Sequence, residues 1–144
     1  MSRRAAPEAS SAKREGLQMS TILIVEDNEK NMKLVRDILR HKGHETLEAV
    51  TGLEGVRLAL ERRPDLVLMD IQLPDIDGIT ALQRIRADRA LDRMPVLAVS
   101  ASVMPDEQQK IVTSGFDAYV TKPINLKQFL ETVQRFLVSG RAGR

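Results

Sequence analysis

The sequence predicts an α/β fold in which helices cover both faces of a five-stranded parallel sheet, a doubly wound (βα)5 arrangement. Two observations lead there. Three short runs are apolar throughout, Ile22-Leu23-Ile24-Val25, Leu66-Val67-Leu68-Met69 and Val96-Leu97-Ala98-Val99, as strands buried on both faces must be. Between and around them, apolar residues recur at helical spacing, and Gly, Pro and Asn mark each change of period.

In chain order, Ile22 to Val25 is the first strand and runs into Glu26-Asp27-Asn28. Asn28 suits the N-cap of a helix with Met32, Leu34, Val35, Ile38 and Leu39 inward, and Gly43 is placed to close it. Thr46 to Val50 is the second strand, and Leu53 to Arg62 the second helix, with Leu53, Val56 and Leu60 inward and Pro64 beyond its end. Leu66 to Met69 runs into Asp70, and the turn Pro74-Asp75-Ile76-Asp77-Gly78 leads to a third helix that buries Ile79, Leu82 and Ile85. Val96 to Val99 ends at Ser100. Pro105 opens a helix to Ser114, with Asp106 and Glu107 in its first turn and Gly115 after it. Ala118-Tyr119-Val120 is a short last strand, and Asn125 caps a helix with Leu126, Phe129, Leu130, Val133, Phe136 and Leu137 on one face.

The 144 residues suffice for one core, with 42% hydrophobic and 29% charged side chains in ordinary globular proportion. Residues 1–19 lack apolar periodicity and are expected to be a disordered leader, with Met19 an alternative start. A single domain is expected over 20–138 and a flexible tail over 139–144, with no output domain after it. Cysteine is absent, which removes disulfides, thiol catalysis and zinc ribbons. No run approaches the roughly 20 apolar residues of a membrane span, so a cytoplasmic location is expected. The net charge of +2 resides in the tails, where Arg3, Arg4, Lys13, Arg14, Arg141 and Arg144 outnumber Glu8 and Glu15. The body is slightly acidic and only 3% aromatic, so no nucleic-acid platform is expected. His41 and His44 are expected at the surface, far from the acidic edge.

In sheets of this kind, ligands bind beyond the carboxyl ends of the strands. Glu26 and Asp27 follow the first strand, Asp70 the third, Ser100 the fourth and Lys122-Pro123 the fifth. Singly, each residue reads as a helix cap, a strand end or a solvated side chain. Together they place three carboxylates, a hydroxyl and an ammonium on one edge, drawn from four strands. Carboxylates a few ångströms apart repel, so a cation belongs among them. Oxygen donors without His or Cys select a hard divalent ion, Mg²⁺ or Mn²⁺. A carboxylate in such a site can attack phosphorus to form an acyl phosphate, with Lys122 and the metal neutralising the transferred group and Ser100 donating to it.

With Glu26-Asp27, Met69-Asp70-Ile71-Gln72-Leu73-Pro74, Asp77-Gly78, Val99-Ser100-Ala101 and Lys122-Pro123 in place, residues 21 to 138 resemble a bacterial two-component response-regulator receiver domain. The Glu26-Asp27-Asn28 and Asn31-Met32-Lys33-Leu34 segments further resemble the single-domain, DivK-like members. The resemblance implies the flavodoxin-like receiver fold, with strand order 2-1-3-4-5. It also implies that Asp70 is the phosphoacceptor. Asp27, Asp70 and the backbone carbonyl of Gln72 would hold Mg²⁺, with Glu26 acting through water. Ser100 would move onto the phosphoryl group and Lys122 pair with it, while Gln72, Ala101 and Ser102 border it. Tyr119 would be the switch aromatic, although its residue type alone fits core packing equally well. The Lys122-Pro123 bond would be cis. Ser100 stands where Thr is commoner in the family, and it lacks the methyl that restricts rotation.

The implied partners are a sensor histidine kinase or histidine phosphotransfer protein as donor and a protein effector downstream, the chain itself being a monomer or weak dimer. It would then be a phosphoacceptor with intrinsic phosphotransfer and autodephosphorylation chemistry rather than an enzyme. Three rivals meet obstacles. A Mg²⁺-dependent phosphohydrolase with an aspartate nucleophile needs a second acid two residues on, where Gln72 stands. A nucleotide or flavin binder needs a Gly-rich loop where Asp27-Asn28-Glu29 stands. A receiver-like module that is never phosphorylated would be expected to lose Asp70 or Lys122.

Overall fold

The computed structural model describes residues 20–101 and 104–141. The expected leader, Ser102 and the last three residues lie outside them. The strands are β1 (Thr21–Val25), β2 (Glu45–Ala49), β3 (Leu66–Asp70), β4 (Val96–Ser100) and β5 (Ala118–Thr121). The helices are α1 (Glu29–His41), α2 (Gly52–Arg62), α3 (Gly78–Arg86), α4 (Pro105–Thr113) and α5 (Leu126–Ser139), with a short 3₁₀ turn at Arg89–Leu91. All strand pairs are parallel, in the order β2-β1-β3-β4-β5. This is the predicted doubly wound flavodoxin-like receiver fold.

Every residue of β3 and β4 is buried, which explains the apolar runs that precede Asp70 and Ser100: helices cover both faces, so polar side chains are confined to the carboxyl ends of these strands. Alternate residues divide between two cores. Leu23, Val25, Val67, Met69, Val96 and Ala98 pack with Val56 and Ala59 of α2, Ala81, Leu82 and Ile85 of α3, and Ile111 of α4. Ile22, Ile24, Leu66, Leu68, Leu97, Val99 and Val120 pack with Met32, Val35 and Leu39 of α1 and Phe129, Val133 and Phe136 of α5. Each fully buried Leu or Ile contributes about 2 kcal/mol.

The helix starts follow the sequence. Asn28 Oδ1 accepts from Asn31 N, Thr51 Oγ1 from Glu54 N, Asp77 Oδ1 from Thr80 N and Asn125 Oδ1 from Gln128 N. Gly43 and Gly115 take positive φ after α1 and α4, where a side chain would be strained.

Four expectations need correction. Leu34, Leu53 and Leu126 are 45%, 48% and 54% exposed rather than inward. Leu34 lies off the Met32-Val35-Leu39 stripe, while Leu53 and Leu126 sit in first turns, outside the buried stripes of α2 and α5. β2 stops at Ala49, and Val50 is exposed. His44 is only 6% exposed: it follows the reversal at Gly43 and lines one cavity with Leu130 and Val133 of α5. Finally, α5 runs through Ser139, and Arg141 docks on Asp117 at 2.9 Å and on the Asp92 carbonyl at 2.8 Å, so packing continues into the expected tail.

Candidate functional site

Strand register assembles the site. Val25 pairs with Met69, Asp70 with Val99 and Ser100 with Thr121, so the residues ending β1, β3, β4 and β5 reach one level at the carboxyl edge. The ladders extend one step further, with Glu26 N donating to the Ala49 carbonyl (2.9 Å), Ile71 N to Val99 (3.1 Å) and Lys122 N to Ser100 (3.0 Å). By alternation, Glu26, Asp70 and Lys122 continue the rows that face α1 and α5. Ser100 continues the opposite row, on the face where Tyr119 packs against the other core.

The carboxylates converge as expected. Glu26, Asp27 and Asp70 each offer an oxygen within 4.8 Å of the others'. Glu26 and Asp70 are buried and Asp27 is exposed, so the cluster opens to solvent on one side. Lys122 Nζ lies 3.0 Å from Asp70 Oδ2 and 3.1 Å from Glu26 Oε1. The second oxygens are held by backbone amides, Gln72 N to Asp70 Oδ1 and Asn28 N to Glu26 Oε2, both at 3.0 Å. One ammonium against three carboxylates leaves the edge negative. All donors are oxygens, two are fixed by backbone and ammonium contacts, and the third faces water, a set that fits Mg²⁺ or Mn²⁺.

The electrostatics agree. Burial pushes the Glu26 carboxyl above its ordinary pKa, Asp70 beside it pushes the same way, and the Asn28 amide and Lys122 only partly oppose them. For Lys122, burial works to lower the pKa, but the bonds to Asp70 and Glu26 and their charges outweigh it, so the pKa lies above the ordinary value.

Gly78 makes the close approach of α3 possible: a Cβ there would stand 2.6 Å from the Asp70 carbonyl oxygen and 2.9 Å from Ile71 Cα. The Lys122-Pro123 bond is cis, as expected. Ala101 and Gln72 are exposed at the edge, and Ser100 is buried. Ser102 falls outside the described residues.

A match over residues 22–134 to the model of the response regulator receiver domain covers most of the chain. The chain belongs to the response-regulator receiver family. Among curated relatives of this receiver is the polar-differentiation response regulator DivK of Brucella anthropi, 44% identical over 117 residues, which are 81% of this chain and 95% of that protein. Among solved structures, the receiver domain of a Pseudomonas aeruginosa sensor histidine kinase, solved with magnesium coordinated in its active-site cleft, has a TM-score of 0.78 and 31% identity over 83% of this chain and 98% of that one. The chemotaxis response regulator CheY4 of Vibrio cholerae has a TM-score of 0.76 and 26% identity over 81% and 98%. Among the described residues, no helix of this receiver is long and apolar enough to cross a membrane.

Some features of the site escaped sequence reading. The double engagement of Lys122 with Glu26 and Asp70 has no local signal, since the three residues stand at the ends of three different strands. Asp75, read only as turn chemistry, accepts from Gly52 N and Leu53 N, both at 2.8 Å, across 23 and 22 residues of sequence. The Leu53 amide, followed by that of Gly52, holds the Asp75 carboxyl below the usual carboxylate range.

Proposed function

We propose that this receiver accepts a phosphoryl group on Asp70 from the phosphohistidine of a sensor kinase or phosphotransfer protein, and signals by binding a protein effector. A carboxylate oxygen of Asp70 attacks phosphorus, the bond from phosphorus to the imidazole nitrogen breaks, and the imidazole leaves with that electron pair. Asp27, Asp70 and the Gln72 carbonyl would hold Mg²⁺ or Mn²⁺, with Glu26 acting through water; the ion supplies charge neutralisation at the transferring group. What supports this reading above all is Lys122 Nζ, 3.0 Å from Asp70 beside a cluster whose remaining charge it cannot balance.

Once Asp70 is phosphorylated, Lys122 exchanges its carboxylate partner for a phosphoryl oxygen, and the Ser100 hydroxyl donates to another. Ser100 and Tyr119 lie in rows on the same sheet face, the face covered by α4. That helix buries only Ile111, so it is held lightly enough for its position to follow the site. The chain works as a cytoplasmic monomer or weak dimer, as a phosphoacceptor rather than an enzyme acting on a separate substrate, and without nucleic acid.

The test is incubation with acetyl phosphate or phosphoramidate and Mg²⁺, followed by intact mass and mapping of the adduct. One phosphoryl group on Asp70, lost in Asp70→Asn, is expected. No adduct, or many equivalents of phosphate released without a retained adduct, would refute the reading.

A further inference from the structure

The segment between Asp70 and α3 carries Gln72, whose carbonyl is the proposed metal ligand. Its base is closed by Gly78 N donating to the Ile71 carbonyl at 2.9 Å, and its exit is fixed by Asp77, which caps α3 through Thr80 N at 2.7 Å. Neither contact fixes the far end of the segment. Asp75 does, with Oδ1 accepting from Gly52 N and Oδ2 from Leu53 N, both at 2.8 Å. Those amides are the first two of α2, where unsatisfied donors and the helix dipole favour a carboxylate. Thr51 Oγ1 takes the next amide, Glu54 N, at 3.1 Å, so the first turn of α2 divides its donors between its own cap and a neighbouring loop.

The contact is also close-packed. A Cβ on Gly52 would stand 2.6 Å from Ile76 Cγ1 and 3.2 Å from the Ile76 carbonyl, so only glycine at the start of α2 lets the segment approach this near. Two carboxylate bonds and a glycine-dependent approach thus fasten one loop to the end of another element.

Resting on the function proposed above, we infer that Asp75 is a positioning residue for the metal site: by clamping this segment to the start of α2, it holds the Gln72 carbonyl at the carboxylate edge. Asp75 itself touches neither the metal donors nor Lys122. It acts through the backbone between Gln72 and Asp77, where Pro74 limits the conformations that a released segment could sample.

Calorimetric Mg²⁺ titration of the full chain tests this, using wild type, Asp75→Ala, Asp75→Asn and Asp117→Asn. Asp75→Ala should weaken Mg²⁺ roughly tenfold, in line with loss of a group that orients a metal ligand. Asp75→Asn, which keeps one acceptor, should fall between the two and serves as the test should the alanine variant fail to fold. Asp117 pairs with Arg86 at 3.1 Å and Arg141 at 2.9 Å, away from the Mg²⁺ donors. Asp117→Asn should therefore lower the melting temperature while leaving the Mg²⁺ midpoint in place, which separates positioning from general loosening. Wild-type affinity in both Asp75 variants would overturn the inference and leave the proposed function standing. Absence of Mg²⁺ binding by wild type would overturn both.

Discussion

Replacing Asp70 by Asn should make the metal-free protein more stable, although it removes an ion pair. At an effective dielectric of about 20, the 3.0 Å contact between Lys122 and Asp70 corresponds to about 5 kcal/mol of attraction. The amide cannot accept from both Lys122 and the Gln72 amide, which adds about 1 kcal/mol of loss. Against this, Glu26 and Asp70 offer oxygens within 4.8 Å, a repulsion of about 3 kcal/mol on the same scale, and taking a charged side chain out of water at this buried position costs about 4 kcal/mol more. Lys122 keeps Glu26 as its partner at 3.1 Å. The balance favours the variant by about 1 kcal/mol, a rise in melting temperature of about 4 °C. Circular-dichroism melts with a chelator would read it. Magnesium at about a hundred times its dissociation constant adds about 2.7 kcal/mol to a protein that binds it. That exceeds the advantage of the variant, so the order of melting should reverse when the ion is added. An Asp70→Asn protein that melts no higher than wild type in chelator, or an order that magnesium leaves unchanged, would refute the description of this edge as a charge cluster awaiting a cation.

Removing the ammonium by Lys122→Ala should act in the opposite direction, costing about 3 kcal/mol in chelator at neutral pH because two buried carboxylates lose their partner. Since the folded pKa of Lys122 is raised above 10.5, its contribution is fully present below that value and fades as pH rises through the folded pKa; chelated melts across pH should show both, and equal stability of variant and wild type at neutral pH would count against the pairing. Gly78→Ala drives a methyl against the backbone of Asp70 and Ile71, neither of which can rotate away, so urea midpoints should fall by the equivalent of about 3 kcal/mol and Mg²⁺ binding should weaken; an unchanged midpoint would mean that α3 does not need this approach. The third concerns His44, which burial holds below its ordinary pKa of 6.5 while Asp65 opposes the shift. The unfolded chain takes up this proton first, so the contribution of neutral His44 is complete above 6.5 and is lost as pH falls towards the folded pKa, and His44→Gln should flatten that part of the urea-midpoint profile.

The order of strands and helices, the helix caps at Asn28 and Asn125, and the identity of the edge residues all follow from patterns within a few residues of one another. Alternation of period, a capping side chain three residues before its amide and an apolar run ending in an acid are local facts, so the chain determined them unaided. Burial of particular side chains was less legible. Leu34, Leu53 and Leu126 have the residue type of a core but lie off the buried stripes of their helices, whereas His44 has the type of a surface and is carried inward by the turn at Gly43. The pairing of Lys122 with both Glu26 and Asp70, the clamp from Asp75 to the start of α2 and the docking of Arg141 on Asp117 were decided only by tertiary structure. Each joins residues more than twenty positions apart, and at that range the partner of a charge is selected by strand register and helix placement. Sequence determined which chemistry stands at the carboxyl edge; packing decided which groups hold one another there.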